Sequence, residues 1–312
     1  MWTNDSDHFT EKHLRPLLIE GVRRLKSGMA PSAWRAGGGM LRSLARYLTQ
    51  GLWHGSAGWN LLLKDLWYDY KAEQLLWLDA ITGRKTEPRR CDTPKTCTLF
   101  YNYYRASDPF RRLEIDYCLS RNVANAAVSK LLVLTSDPLP IADDKIEVVP
   151  MQSPRPTFAR IFQTISDNSG KNDCNIFINS DCFLATDDPE AFDQLDHKVA
   201  WCIGRYEIPR VSPLLPWSIW RRPFAQLRED SQDCWIIRGK PARGMWLDFT
   251  PGLPGCDNRL AYEFHKVGYA VHNPMDRITV YHMHTQITRA YTDQQQVPKP
   301  YLMLKVPQDL RR

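Results

Sequence analysis

Residues 175–184 read NIFINSDCFL. An apolar, β-rich run closing on an acid is the pattern of a strand buried on both faces of a parallel sheet. Upstream, TFARIFQTISDN (157–168) has helical spacing, and KIEVVPM (145–151) and KLLVLTSD (130–137) are strands, the second again ending in an acid. Before them, Asp108-Pro109 supplies an N-cap and a first-turn proline for the helix FRRLEIDYCLSRNVAN, which follows the strand TCTLFYNYY (96–104). Downstream, two acids and Pro189 introduce a short helix, EAFDQL, and KVAWCIGRYE (198–207) and QDCWIIRG (232–239) are strands. GCDNRLAYEFHKVG (255–268) is a helix stopped by Gly268, and YAVHN and ITVYHMH are two last strands. Strands alternating with helices predict an α/β domain over residues 91–312.

At ~150 residues per domain, 312 residues leave room for a second region. Residues 1–90 supply it. They hold 14 Lys/Arg against 9 Asp/Glu, a net of +5 out of the chain's +6, and six of its eleven Trp. LRPLLIEGVRRLKSGM, MLRSLARYLTQGLW and NLLLKDLWYDYKAEQLLWLDAI repeat a three- and four-residue apolar spacing. The spacing predicts a helical layer packed on the main domain. A second reading is a basic, Trp-bearing surface for a membrane or a polyanion. TGRKTEPRRCDTPKT reads as a linker.

At 43% hydrophobic and 24% charged, the chain can build a full core, which excludes global disorder. No apolar run approaches the ~18 residues of a membrane span. The opening MWTNDSDHFTEKH is polar and acidic where a secretory signal would be basic and then apolar. The eight cysteines stand singly without a C-x-x-C pair, mostly inside apolar runs, so they predict core thiols rather than a zinc ribbon or disulfide scaffold. Together these features predict a cytoplasmic protein, with a peripheral membrane position left open.

Four features carry chemistry. Asn179-Ser180-Asp181 and Asp137 each end a buried strand, at the edge where open α/β sheets take ligands. Gly255-Cys256-Asp257-Asn258 opens a helix, where Asp257 could equally serve the helix dipole. His282 and His284 stand two apart in the last strand, on one side of it, a metal-ligand spacing that ordinary structural histidines also show.

In this order the features resemble the GT-A fold glycosyltransferases, specifically family 2-like enzymes, over roughly residues 96–290, which implies a GT-A-like fold: a Rossmann-like mixed sheet flanked by helices. The resemblance implies a base-contacting acid at Asp137. It implies a D-x-D motif at FINSDCF, with Asn179 where the first acid stands and Asp181 as the second, holding Mn²⁺ or Mg²⁺ on the donor diphosphate. It implies an E-D motif at PGCDNRLAYEFHKVGYAVHNP, with Cys256 replacing the Glu and Asp257 as the general base. A C-terminal histidine completing the metal shell falls to His282 or His284, with His284 preferred because it lies nearer the strand's end.

Arg155 and Arg160 are diphosphate contacts on this reading, or else solvated arginines. Asp233 is an acceptor contact, and Trp235 either stacks on an acceptor sugar or fills the core. The expected activity is transfer of a sugar from a nucleoside diphosphate sugar to an acceptor hydroxyl, with inversion and a divalent metal. One alternative acceptor is nucleic acid, engaged through the basic N-terminal region. Another reading, favoured by Asn179 and Cys256, is a non-catalytic nucleotide-sugar or glycan-binding module.

Overall fold

The computed structural model describes residues 97–208, 226–283 and 295–307. The helices expected in residues 1–90, and His284, lie outside the described residues. Nine strands form one mixed sheet: β1 (Cys97–Asn102), β2 (Val128–Thr135), β3 (Ile146–Pro150), β4 (Cys174–Ile178), β5 (Cys182–Leu184), β6 (Val199–Ile208), β7 (Gln226–Arg238), β8 (Ala270–His272) and β9 (Val280–Met283). Their spatial order is β3-β2-β1-β4-β7-β6-β9-β5, with β8 also on β6. Strands β3, β2, β1 and β4 are mutually parallel, whereas β7 runs antiparallel to both β4 and β6. The architecture is α/β, as the strand–helix alternation predicts, and Rossmann-like, as the resemblance implies.

Helices α1 (Pro109–Val123), α2 (Phe158–Asn168) and α3 (Cys256–Lys266) cover the sheet. β1 and β4 are buried at every residue, which is why their sequences are continuously apolar rather than alternating. On one face Phe100, Leu132, Phe177, Trp235 and Ile237 meet Phe158, Phe162, Leu260 and Phe264 of α2 and α3. Phe158 is the hub, its ring within 5.1–5.8 Å of those of Phe177, Trp235 and Phe249. On the other face, Tyr101 Oη donates to the Ile115 carbonyl of α1 at 3.1 Å.

Some boundaries depart from the sequence pattern. NIFINSDCFL is two strands, because the chain turns at Asn179–Asp181: Cys182 N donates back to the Asn179 carbonyl at 3.0 Å. EAFDQL forms only a single 3₁₀ turn, Pro189–Phe192. β7 begins at Gln226, six residues before the expected strand, because β6 continues to pair with it. The β6–β7 ladder steps from Ile203↔Cys234 to Gly204↔Gln232, leaving Asp233 as the extra residue of a bulge.

Candidate active site at the carboxyl edge of the sheet

The chain runs β1, β2, β3 outward to one side, then places β4 on the other side of β1. The order reverses between β1 and β4, and the carboxyl ends of strands at such a switch point are where open α/β sheets take ligands. The turn Asn179-Ser180-Asp181 fills that position. Ser180 Oγ donates to the Asn102 carbonyl at 2.6 Å, and the Ser180 carbonyl sits against Tyr101 Oη, whose single proton it shares with the Ile115 carbonyl, so β1 fixes the turn. The ends of β6 and β9 and the bulge of β7 reach the same edge.

Asp181 Oδ2 lies 2.5 Å from Arg111 Nη2 of α1 and 3.2 Å from His282 Nε2 of β9. The other ring nitrogen, His282 Nδ1, lies 2.7 Å from Glu207 Oε2 at the end of β6. Glu207 Oε1 takes Arg205 Nε at 2.8 Å, and Arg205 Nη1 reaches Asp233 Oδ2. Asp233 Oδ1 accepts from Asn179 Nδ2 at 2.5 Å, which closes the circuit back to the turn. Beyond the bulge, Asp257 at the start of α3 accepts from Gln232 N at 3.1 Å and from Asn258 N at 2.9 Å.

Burial alone would raise the Asp181 carboxyl, but the His282 and Arg111 charges outweigh it and hold the group well below the ordinary carboxylate range. Burial would likewise depress His282; Asp181 and Glu207 overcome it and lift the imidazole to about 9. Glu207, raised by burial, is brought down to about 2 by its bonds to His282 and Arg205. Asp257 goes the other way. Burial first, and the Asp233 charge second, raise its carboxyl against the pull of the Asn258 and Gln232 amides. The helix N-terminus is therefore not what sets this acid's basicity, contrary to the simplest reading of its position.

Of the residues singled out in the sequence, the fold gathers Asn179, Asp181, His282, Asp233 and Asp257 along one edge. Asp137 is half-buried at the end of β2, where its Oδ2 accepts from the Arg105 amide at 2.8 Å. Arg155 and Arg160 are exposed and form no ion pair among the described residues. Trp235 is a correction. It is 2% exposed, stacked on Phe177 at 5.4 Å and set edge-on to Phe158, so its ring is in the core and presents no face to a sugar.

An acid at position 179 would face the Asp233 carboxylate that Asn179 now hydrogen-bonds. Cys256 belongs to the apolar core cluster, where a glutamate would be buried without a partner. Arg111, Arg205 and Glu207 join the site only in the folded chain. Glu207 carries the same signal as Asp137 and Asp181, an acid at a strand's end. Arg111 and Arg205 have none, because their roles exist only once distant strands are paired.

Asp181, Cys182 and His282 place one ligand atom each within 4.8 Å of one another. The carboxylate oxygen suits Mn²⁺ or Mg²⁺, and the imidazole nitrogen favours the transition metal of the two. The Cys182 thiol is pushed well up by burial and does not add a thiolate. That leaves two donors, and an ion could take them only if His282 gave up its Nε2 proton and Arg111 part of its hold on Asp181.

No protein-family model matches the chain, and no curated protein matches it. Among solved structures it is similar to the 2-C-methyl-D-erythritol 4-phosphate cytidylyltransferase of Francisella tularensis, at 12% identity and a TM-score of 0.29 over 64% of this chain and 95% of that one. So loose a superposition transfers no chemistry to this chain. No helix among the described residues is long and apolar enough to cross a membrane.

Proposed function

We propose that the chain is a GT-A-type glycosyltransferase that moves a sugar from a nucleoside diphosphate to an acceptor hydroxyl with inversion. The observation that carries this reading is the convergence of Asn179, Asp181, His282, Asp233 and Asp257 at the sheet's topological switch point. Asp181 and His282 would hold Mn²⁺ or Mg²⁺, which neutralises the charge that develops on the leaving diphosphate. Asp137 would face the base, and Arg155 and Arg160, free to swing in solvent, would reach the phosphates.

Asp257 would accept the acceptor's proton as its oxygen attacks the anomeric carbon, and a buried, raised carboxyl is a better base than an exposed one. Asp233, fixed by Arg205 and Asn179, would orient the acceptor. Residues 1–90, with their charge excess, would engage a polyanionic or membrane-bound acceptor.

Arg111 on Asp181 favours a second reading, in which the edge is a metal-free binding site. One experiment separates the two. Melting temperature is measured with a panel of nucleoside diphosphate sugars, with and without Mn²⁺. A transferase gains stability with one donor only when Mn²⁺ is present, by ~2.7 kcal/mol at a hundredfold excess over Kd, and slowly hydrolyses that donor. Stabilisation by a donor that ignores Mn²⁺ and yields no hydrolysis supports the binding module instead. Asp181→Ala should remove the metal-linked gain.

A further inference from the structure

Strand pairing makes His282 the centre of a three-residue row. β9 runs parallel to β6 with Glu207 in register with His282, and antiparallel to β5 with Cys182 in register with the same residue. Residues in register share a side of the sheet, so the imidazole is flanked by Glu207 on one side and by the Asp181–Cys182 corner on the other. The ring is 6% exposed and the Glu207 side chain 15%. Glu207 uses its two oxygens for different partners: Oε1 for Arg205 Nε and Oε2 for His282 Nδ1.

We propose that Glu207 is a positioning residue for the candidate metal site, holding the Nδ1–H of His282 so that Nε2 is the nitrogen presented beside Asp181. This rests on the reading of Asp181 and His282 as the metal pair. A carboxylate on the far nitrogen of a ligating imidazole fixes its tautomer, locks its ring orientation and makes it a stronger ligand. Arg205 serves Glu207 as Glu207 serves the ring, since its Nε fixes the carboxylate's rotation. The strand-end position of Glu207 marks it as a candidate acid, but its partner follows only from the β6–β9 register and the contact to His282 Nδ1.

The test is Mn²⁺ affinity of the full chain, read from the free-ion electron paramagnetic resonance signal near neutral pH without any donor. Glu207→Ala should weaken Mn²⁺ by ~10–100-fold. Glu207→Gln, which can still accept the Nδ1–H through its amide oxygen, should fall between that variant and the wild type. NMR of the imidazole nitrogens with Mg²⁺ bound should show a single Nδ1–H tautomer in the wild type and a tautomer mixture in Glu207→Ala. A role confined to packing would shift melting temperature without this graded order.

Wild-type affinity in both variants would overturn the proposal while leaving the metal pair standing. If Glu207→Ala fails to fold, Glu207→Gln decides: unchanged affinity overturns the assignment and a weakened one supports it. Absence of Mn²⁺ binding by the wild-type chain, both alone and with the panel of nucleoside diphosphate sugars, overturns the metal reading and this inference with it.

Discussion

Asp257 is held by two backbone amides, those of Gln232 and Asn258, and its own burial pushes its proton affinity up. The first fact gives it a structural task and the second suits it to accept a proton, so one substitution must be read on two scales. Asp257→Asn keeps an oxygen for one amide and brings an NH₂ against the other. It should lower stability by ~1 kcal/mol and turnover by ~10²–10⁴-fold, with donor affinity nearly unchanged. Near-normal kcat alongside a lowered melting temperature would reduce Asp257 to a structural acid and move the search for the base to Asp233.

A second carboxyl shows how burial sets pH dependence. Asp116 of α1 is raised to about 6, by burial first, against the hydrogen bond from Tyr103 (2.9 Å) and the charges of Arg112 and Arg105. The unfolded chain releases this proton near the ordinary value of 3.8. Between that pH and about 6 the folded state therefore binds more protons, and stability falls as pH rises through the window. Asp116→Asn should stabilise the chain at neutral pH, by about 3 kcal/mol at most, and make no difference in acid below the window. Melting curves of both proteins at the two pH values check it; equal gains at both would mean the side chain's charge is irrelevant.

Elements, unlike single residues, were largely legible. β1, β2 and β4 announce themselves by uninterrupted apolar runs, and α3 by its glycine boundaries. The turn that splits NIFINSDCFL was not legible, because Asn179 and Asp181 leave the strand only to meet Asp233, Arg111 and His282. Nor was the bulge at Asp233, which depends on how β6 and β7 share a register. Gly255 marks a place where local sequence and tertiary contact agree. Its φ of 78° lies in the left-handed region, and a Cβ there would come within 2.6 Å of Tyr301 Oη, itself bonded to the Val297 carbonyl. Gly255→Ala should cost ~1–2 kcal/mol from backbone strain alone. Because the displaced Tyr301 segment also bonds α3 through Leu302 N and the Asn258 carbonyl (2.9 Å), protease cleavage within residues 297–304 should rise with it. A variant as stable and as protected as the parent would show that the segment gives way freely.

At the scale of the molecule, one edge of the sheet carries a linked set of buried charges, gathered from α1, the β4–β5 turn, β6, β7 and β9. Apolar patterning could place strands and helices in chain order, but a net charge and a list of acids cannot say which arginine ends beside which carboxylate. That knowledge waits on pairing between segments as distant as Arg111 and His282. The energetic consequence is testable by comparing two pairs. Arg205 is 14% exposed and serves both Glu207 and Asp233, whereas Lys130 and Glu147, a pair on β2 and β3, are 42% and 53% exposed. Removing one partner of a buried pair strands the other charge and costs ~3–5 kcal/mol, whereas an exposed pair is worth ~0–1. Arg205→Met should therefore lower the melting temperature by roughly 6–20 °C at ~2–4 °C per kcal/mol, and Lys130→Met by no more than a few degrees. Adding Asp233→Asn and Glu207→Gln to Arg205→Met should recover most of the loss, because the stranded charges, not the missing arginine, carry the cost. If the triple variant melts as low as the single one, packing of the guanidinium between β6 and β7 holds this edge and its charge balance does not.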